Sequence, residues 1–152
     1  MDVWRVTKER YALDRVGTGA SRTGGRWNPL NVPVIYAGMS IAIASYERLV
    51  HTEELLAKDL VLVKIEIPDG LPLRYVANDD LPINWDALPS SASAQAFGNT
   101  FVNEGQYLAI VVPSVVIPEE RNIIINPNHL EWAKCTMNIV RPFLYDTRLA
   151  KA

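Results

Sequence analysis

The amino-acid sequence predicts an α+β fold, one domain built on a mixed or mostly antiparallel sheet with flanking helices. Three observations lead there. Strand-like runs outnumber helix-like ones and do not alternate with them regularly, which argues against a parallel doubly wound sheet. The chain has 152 residues, enough for one core and too few for two ordinary ones. Apolar residues make up 49% and charged residues 21%, the balance of a folded domain.

Taken in order, Val3-Trp4-Arg5-Val6 can make a short strand. Thr7 to Pro33 holds four of the eight glycines and little apolar periodicity, so it reads as one long irregular excursion. Excursions of that length in a compact domain are usually functional or disordered. Val34-Ile35-Tyr36-Ala37 is a strand closed by Gly38, Ser40 is placed to cap a helix, and Ile41 to Ala57 is rich in helix formers. Asp59 to Pro68 gives the clearest strand: one face is apolar throughout and the other turns polar at Lys64 and Glu66. Asp69-Gly70 and the prolines at 72, 82 and 89 mark an irregular middle. A weaker helix spans Ala92 to Asn103. Leu108 to Val112 and Asn122 to Ile125 are strands separated by a Pro-flanked segment. A short helix opens at Pro127-Asn128-His129-Leu130-Glu131-Trp132, and Ile139 to Tyr145 is a last strand.

Composition excludes several classes. A net charge of -2 and a pI near 5.7 disfavour a protein that grips nucleic acid through its phosphates. The densest apolar run, Leu108 to Val112, stops at Pro113, too short to span a bilayer. Met1-Asp2-Val3-Trp4-Arg5 lacks the pattern of a signal peptide, so the expected location is the cytoplasm. One cysteine, Cys135, rules out an internal disulfide framework and a Cys-based zinc cluster.

Familiar motifs fail on inspection. Gly17-Thr18-Gly19-Ala20-Ser21-Arg22-Thr23-Gly24-Gly25 suggests a phosphate cradle, but Gly25 and Arg26 stand where a Walker loop needs Lys and then Ser or Thr. No apolar strand precedes Gly17, so the dinucleotide fingerprint fails too. Glu47 and His51 are four apart on a helix, yet the chain has only one other histidine, His129, and a flanking role explains them more simply than a metal. Ser114 lacks the glycines of a strained nucleophile turn. The acid pairs Asp79-Asp80 and Glu119-Glu120 are most simply solvated.

Four residues remain. Glu47 falls on the helical stripe of Ile43 and Val50, opposite Ser45, Arg48 and Thr52. A carboxylate on a core-facing stripe needs a partner, so it is either half of a structural ion pair or a site residue. Arg26 ends a Gly-Gly run, where backbone can approach a ligand and a guanidinium can meet phosphate or carboxylate; equally, it pairs with an acid such as Glu47 while Trp27 packs. Ser114 interrupts the β-branched stretch Ile110 to Ile117, bonded either to backbone or to a ligand. Tyr36, inside an apolar strand, is a core ring or one that stacks on a ligand. An Arg, a Tyr, a buried Glu and a Ser, with no strong nucleophile, suit positioning and charge stabilisation. Cleavage through an oxocarbenium-like sugar needs little more.

Gly25-Arg26-Trp27-Asn28-Pro29, Pro33-Val34-Ile35-Tyr36-Ala37 and Ser45-Tyr46-Glu47-Arg48-Leu49-Val50-His51 resemble the N-terminal half of the RES-domain toxins. Val112-Pro113-Ser114-Val115-Val116-Ile117-Pro118, then Asn122 and Asn126-Pro127-Asn128-His129, are similar to that family's second block. Trp4-Arg5 and Pro142 to Leu149 match its general pattern. Residues 70 to 105 carry the resemblance most weakly, and Asn31 stands where a glycine is expected. The family is named for an Arg, a Glu and a Ser, matched here by Arg26, Glu47 and Ser114.

This resemblance implies that residues 1–152 form a single RES domain with an ADP-ribosyltransferase-like fold. It implies the toxin of a bacterial toxin–antitoxin pair, neutralised by an Xre-like helix-turn-helix antitoxin that also binds the operator, with room for a homodimer in the complex. The implied activity is breakdown of NAD, which is substrate rather than cofactor, with no metal. By the same carry-over Arg26 engages the NAD phosphates or ribose, and Tyr36 stacks on or beside nicotinamide. Glu47 stabilises the ribosyl cation and Ser114 fixes the substrate, while Arg5, Trp27 and Asn28 line the same pocket. ADP-ribosyl transfer to a protein and a non-catalytic binding module are the alternatives.

Overall fold

A computed structural model of the chain describes residues 1–51 and 57–151. Seven strands form one sheet: β1 (Asp2–Lys8), β2 (Ile35–Gly38), β3 (Leu60–Glu66), β4 (Leu73–Tyr75), β5 (Ala109–Pro113), β6 (Arg121–Ile125) and β7 (Thr136–Pro142). Their order is β4-β5-β6-β2-β1-β3-β7. Only β4 and β5 run parallel among these neighbours, so the sheet is mixed and mostly antiparallel, as the sequence predicts. The helices are α1 (Thr18–Thr23), α2 (Ile41–Val50) and α3 (Ala92–Glu104).

Two halves of the sheet meet at a short seam. β1 pairs with β3 from Asp2–Glu66 to Lys8–Leu60, whereas β1 and β2 are registered through Trp4 and Gly38. Alternation sorts side chains to two faces. Val3, Ile35, Val63, Val111, Ile123 and Ile125 build the core on one. On the other, Val34, Ile110, Val112 and Ile124 pack under Trp27, Ala94 and Phe101, while Val6, Leu60 and Leu62 pack under Ala44 of α2 and Phe143. Ser40 caps α2 by accepting from the Ile43 amide at 3.2 Å, as read from the sequence.

Several sequence expectations are corrected. Within Thr7 to Pro33 the chain completes β1 at Lys8 and forms α1, so the excursion is not wholly irregular. The irregular middle contains β4, whose three residues are ordered by pairing with β5 rather than by their own pattern. The last strand lies three residues earlier than Ile139 to Tyr145. Register with β3 decides this, running from Glu66–Thr136 to Val61–Pro142 with a bulge at Leu62/Val63. Beyond Pro142 the chain leaves the sheet, and the Tyr145 hydroxyl donates to the Ser45 carbonyl. The short helix is a 3-10 turn at Leu130–Lys134 rather than at Pro127 to Trp132. α2 ends at Val50 with His51 as its cap, and residues 52 to 56 of the expected helix lie outside the described residues.

Candidate active site

α2 lies against the seam because position 38 has no side chain. A Cβ on Gly38 would sit 2.6 Å from Ile43 Cγ2 and 2.8 Å from the Ala44 nitrogen. One turn beyond the buried Ile43, this docking brings Glu47 over the ends of β5 and β6. The Glu47 side chain is 24% exposed, so its stripe is core-facing as expected, although Val50 on the same stripe is exposed.

The Glu47 carboxylate is held on one oxygen. Ser114 Oγ donates to Oε1 at 2.7 Å and Asn122 Nδ2 donates to the same atom at 2.5 Å. Oε2 faces His51 Nε2 at 3.7 Å, one turn along the helix. Burial disfavours the charged form, but His51, Asn122 and Ser114 together outweigh it, and the Glu47 carboxyl is held below its ordinary range.

Arg26 does not pair with Glu47. Its Nη1 donates to the backbone carbonyls of Trp85 at 2.7 Å and Ala87 at 2.9 Å. Burial lowers its pKa, while Glu47, Asp86 and Tyr36 act the other way, so the guanidinium stands within electrostatic reach of the carboxylate without touching it. An arginine has five N–H donors, and anchoring both Nη1 hydrogens leaves the parallel Nε/Nη2 fork for an anion.

Tyr36 closes this arrangement from β2. Its hydroxyl accepts from the Trp27 amide at 3.0 Å and donates to Asn28 Oδ1 at 2.6 Å. Burial pushes its pKa well above the usual tyrosine value against the opposing pull of the Trp27 amide and Arg26, so the phenol stays protonated. A Cβ on Gly25 would lie 2.6 Å from that hydroxyl, which explains the second glycine before Arg26.

Of the other expected site residues, Ser114, Asn28 and Trp27 are buried and Arg5 is half-buried. Ser114 is 0% exposed: besides donating to Glu47, its Oγ accepts from the Val116 and Ile117 amides, so its hydroxyl is engaged by the carboxylate and the backbone. Asn28 is also sealed, with Nδ2 donating to the carbonyls of Ala20, Pro29 and Val32, and it shapes the loop rather than lining a pocket. Trp27 is packing: it stacks on Trp85 at 6.0 Å and meets Phe97 edge-on at 5.8 Å. Arg5 alternates onto the face of Val3 and its partner Val63, opposite to Tyr36 and Asn122, so the structure does not bring it to Glu47. Burial lowers its pKa against the attraction of Asp14.

Sequence reasoning quoted Asn122 only within a family block and did not single it out for the site, and it missed the Trp85 and Ala87 carbonyls. An amide heading a run of three isoleucines was a usable signal for Asn122; backbone carbonyls carry none. Two concavities, one lined by Arg74, Phe97 and Tyr107 and one by Asn126, His129 and Leu130, involve none of these residues. Among the described residues no three His, Cys, Asp or Glu side chains gather as a metal site, and no helix is long and apolar enough to cross a membrane.

Comparison with known proteins shows the family of the chain. The RES domain family matches residues 2–146. The chain belongs to the RES domain family. This RES domain is 36% identical over 154 residues to the Prs ADP-ribosylating toxin of Sphingobium sp., spanning 97% of this chain and 96% of that protein. It is 33% identical over 155 residues to Toxin Res of Photorhabdus laumondii, spanning 100% and 99%. Against Toxin Res of Pseudomonas putida it is 35% identical over 155 residues, spanning 98% and 99%. In three dimensions the RES domain is similar to a chain of the M. tuberculosis MbcT-MbcA toxin-antitoxin complex, with a TM-score of 0.62 at 20% identity. That likeness spans 99% of this chain and 86% of the other and is one of fold.

Proposed function

We propose that this RES domain is the toxin of a bacterial toxin–antitoxin pair and that it consumes NAD by breaking the bond between nicotinamide and ribose. The observation that carries the reading is the Glu47 carboxylate, held below its ordinary pKa and fixed through Oε1, within electrostatic reach of an Arg26 whose hydrogen bonds among the described residues use Nη1 and leave the Nε/Nη2 fork open. As the bond lengthens, its electron pair leaves with nicotinamide, and positive charge develops on the ribose carbon and ring oxygen. Oε2 of Glu47 offsets that charge and accepts from a ribose hydroxyl. The Arg26 fork takes the pyrophosphate, already oriented by two carbonyls. The Tyr36 ring lies against nicotinamide while its hydroxyl stays bound to the loop. Water, losing a proton to bulk solvent, or a phosphate anion then adds to the ribosyl carbon. NAD is substrate here, and the step requires neither metal nor cofactor. The site residues in contact with NAD are therefore Arg26, Tyr36 and Glu47, with Ser114, Trp27 and Asn28 behind them.

Relatives named as toxins over nearly their whole length support the toxin reading, and a similar fold within a toxin–antitoxin complex supports an antitoxin partner. We assign that partner to the Xre-like helix-turn-helix class and the action to the cytoplasm, where the NAD pool lies. A second reading, ADP-ribosyl transfer to a protein, is favoured by the relative named a Prs ADP-ribosylating toxin. It uses the same ribosyl cation with a side chain as acceptor.

The test is incubation of the purified protein with NAD labelled in its adenylate half, in phosphate and in phosphate-free buffer, with and without purified Prs. Free nicotinamide with labelled ADP-ribose or its phosphate supports cleavage, and labelled Prs supports transfer. Intact NAD throughout, together with unimpaired growth of cells making abundant soluble protein, overturns both.

A further inference from the structure

We infer that Asn122 is a positioning residue: together with Ser114 it fixes Glu47 through Oε1 and leaves Oε2 as the single oxygen presented to a ligand. This rests on the reading of Glu47 as the working carboxylate. Asn122 sits on β6 directly opposite Gly38 of β2, on the face that α2 covers. Its amide nitrogen must be the group facing Glu47, because an ionised carboxylate only accepts hydrogen bonds. Two donors, Ser114 just past the end of β5 and Asn122 on β6, lie 67 and 75 residues away in sequence and converge on one oxygen. The carboxylate cannot turn without breaking both. Among the described residues Oε2 has only His51, 3.7 Å away and itself 75% exposed, so this oxygen is the accessible one.

Asn122 has a second feature that packing alone does not explain. Its Oδ1 is buried with no hydrogen-bond partner. A buried, unpaired acceptor is unfavourable, and the strand continues as Ile123-Ile124-Ile125, where apolar side chains fill the same sheet. An amide retained there at that penalty serves the carboxylate it donates to. Among the described residues, the groups that contact or act on Glu47 are His51 at the end of its own helix, Ser114 just past β5 and Asn122, with Arg26 from the loop before β2 in electrostatic reach.

The experiment has two arms on Asn122→Ala and the near-isosteric Asn122→Asp. In the ligand-free protein the Glu47 carboxyl is titrated by NMR. It should titrate higher in Asn122→Ala than in the parent, and higher again in Asn122→Asp, where a like charge replaces the donor. In the second arm, kcat for NAD in Asn122→Ala falls about 10- to 100-fold with KM changed less than about three-fold, the loss expected for one hydrogen bond to a charged group. The acid limb of the kcat profile moves with the titration. An unmoved Glu47 titration in both variants, even with a lower melting temperature, overturns the inference, as does a KM rise with unchanged kcat. A moved titration in a protein whose parent form leaves NAD intact upholds the positioning role and overturns only the NAD reading. If Asn122→Ala does not fold, the same two measurements on Asn122→Asp decide.

Discussion

The backbone at Gly98 passes so near Trp27 that a Cβ there would lie 1.7 Å from the Trp27 carbonyl oxygen. Helix α3 thereby presses directly on the residue after Arg26, and Phe97 beside it meets the Trp27 ring edge-on. The aromatic cluster Trp27, Trp85 and Phe97 ties together the loop that carries Arg26 and the loop whose carbonyls hold it.

Gly98→Ala should therefore destabilise the protein by about 3 kcal/mol or more, because the obstacle is backbone that cannot step aside. Gly19→Ala, inside α1 with nothing within 4 Å of the new methyl, should instead gain about 0.5–1 kcal/mol. Urea denaturation of the two variants against the parent measures both signs.

Tyr36→Phe separates ring from hydroxyl. The variant keeps the ring and loses the bonds to the Trp27 amide and Asn28 Oδ1. Stability should fall by about 1–3 kcal/mol as buried groups lose their partner, while NAD turnover at saturation in the folded protein stays within about five-fold of the parent. A loss of kcat as large as that of Glu47→Gln, with little change in stability, would give the hydroxyl a chemical role instead.

Arg26→Lys tests the anchored fork. An ammonium has a single nitrogen and cannot hold both carbonyls while offering two parallel donors to an anion. KM for NAD should rise about ten-fold or more, equivalent to about 1.4 kcal/mol of lost binding. The near-ultraviolet signal of Trp85 and Trp27 should change as the loop loosens. Unchanged steady-state constants would remove Arg26 from the substrate.

Glu47 links pH to both stability and activity. Its folded pKa lies below its unfolded value, so its contribution is fully present above the ordinary glutamate range and is lost as pH falls through the lower folded value. Glu47→Gln can still accept from Ser114 and Asn122, so it should fold, yet turnover should fall about 10²- to 10³-fold with the charge gone. The stability difference between parent and variant should be largest near neutrality and shrink on acidification below the glutamate range. Chemical denaturation across a pH series, with nicotinamide release measured in parallel, checks both.

The legible parts of this protein are those fixed by near neighbours. Ser40 as a cap, the alternation from Leu60 to Glu66 and the Ile43–Glu47 stripe follow from residues at most a few positions apart, and the structure shows each. The choice between an Arg26–Glu47 ion pair and two separately held groups was open in the sequence. The structure decided it through the carbonyls of Trp85 and Ala87, in a segment with no periodic pattern at all. Ser114 was readable as a polar residue in need of a partner, but not as a sealed one, and Asn28, which entered only as a pocket-lining residue implied by resemblance, is sealed as well.

By itself, then, the sequence determined the α+β class, the family blocks and a carboxylate on the inner stripe of a helix. Tertiary structure decided which oxygen of that carboxylate is held and by which residues. Helix caps and strand alternation are set by local sterics and side-chain spacing. The partners of Glu47 are set by strand order and register, which bring Ser114 and Asn122 across 67 and 75 positions of chain and cannot be read from any short window.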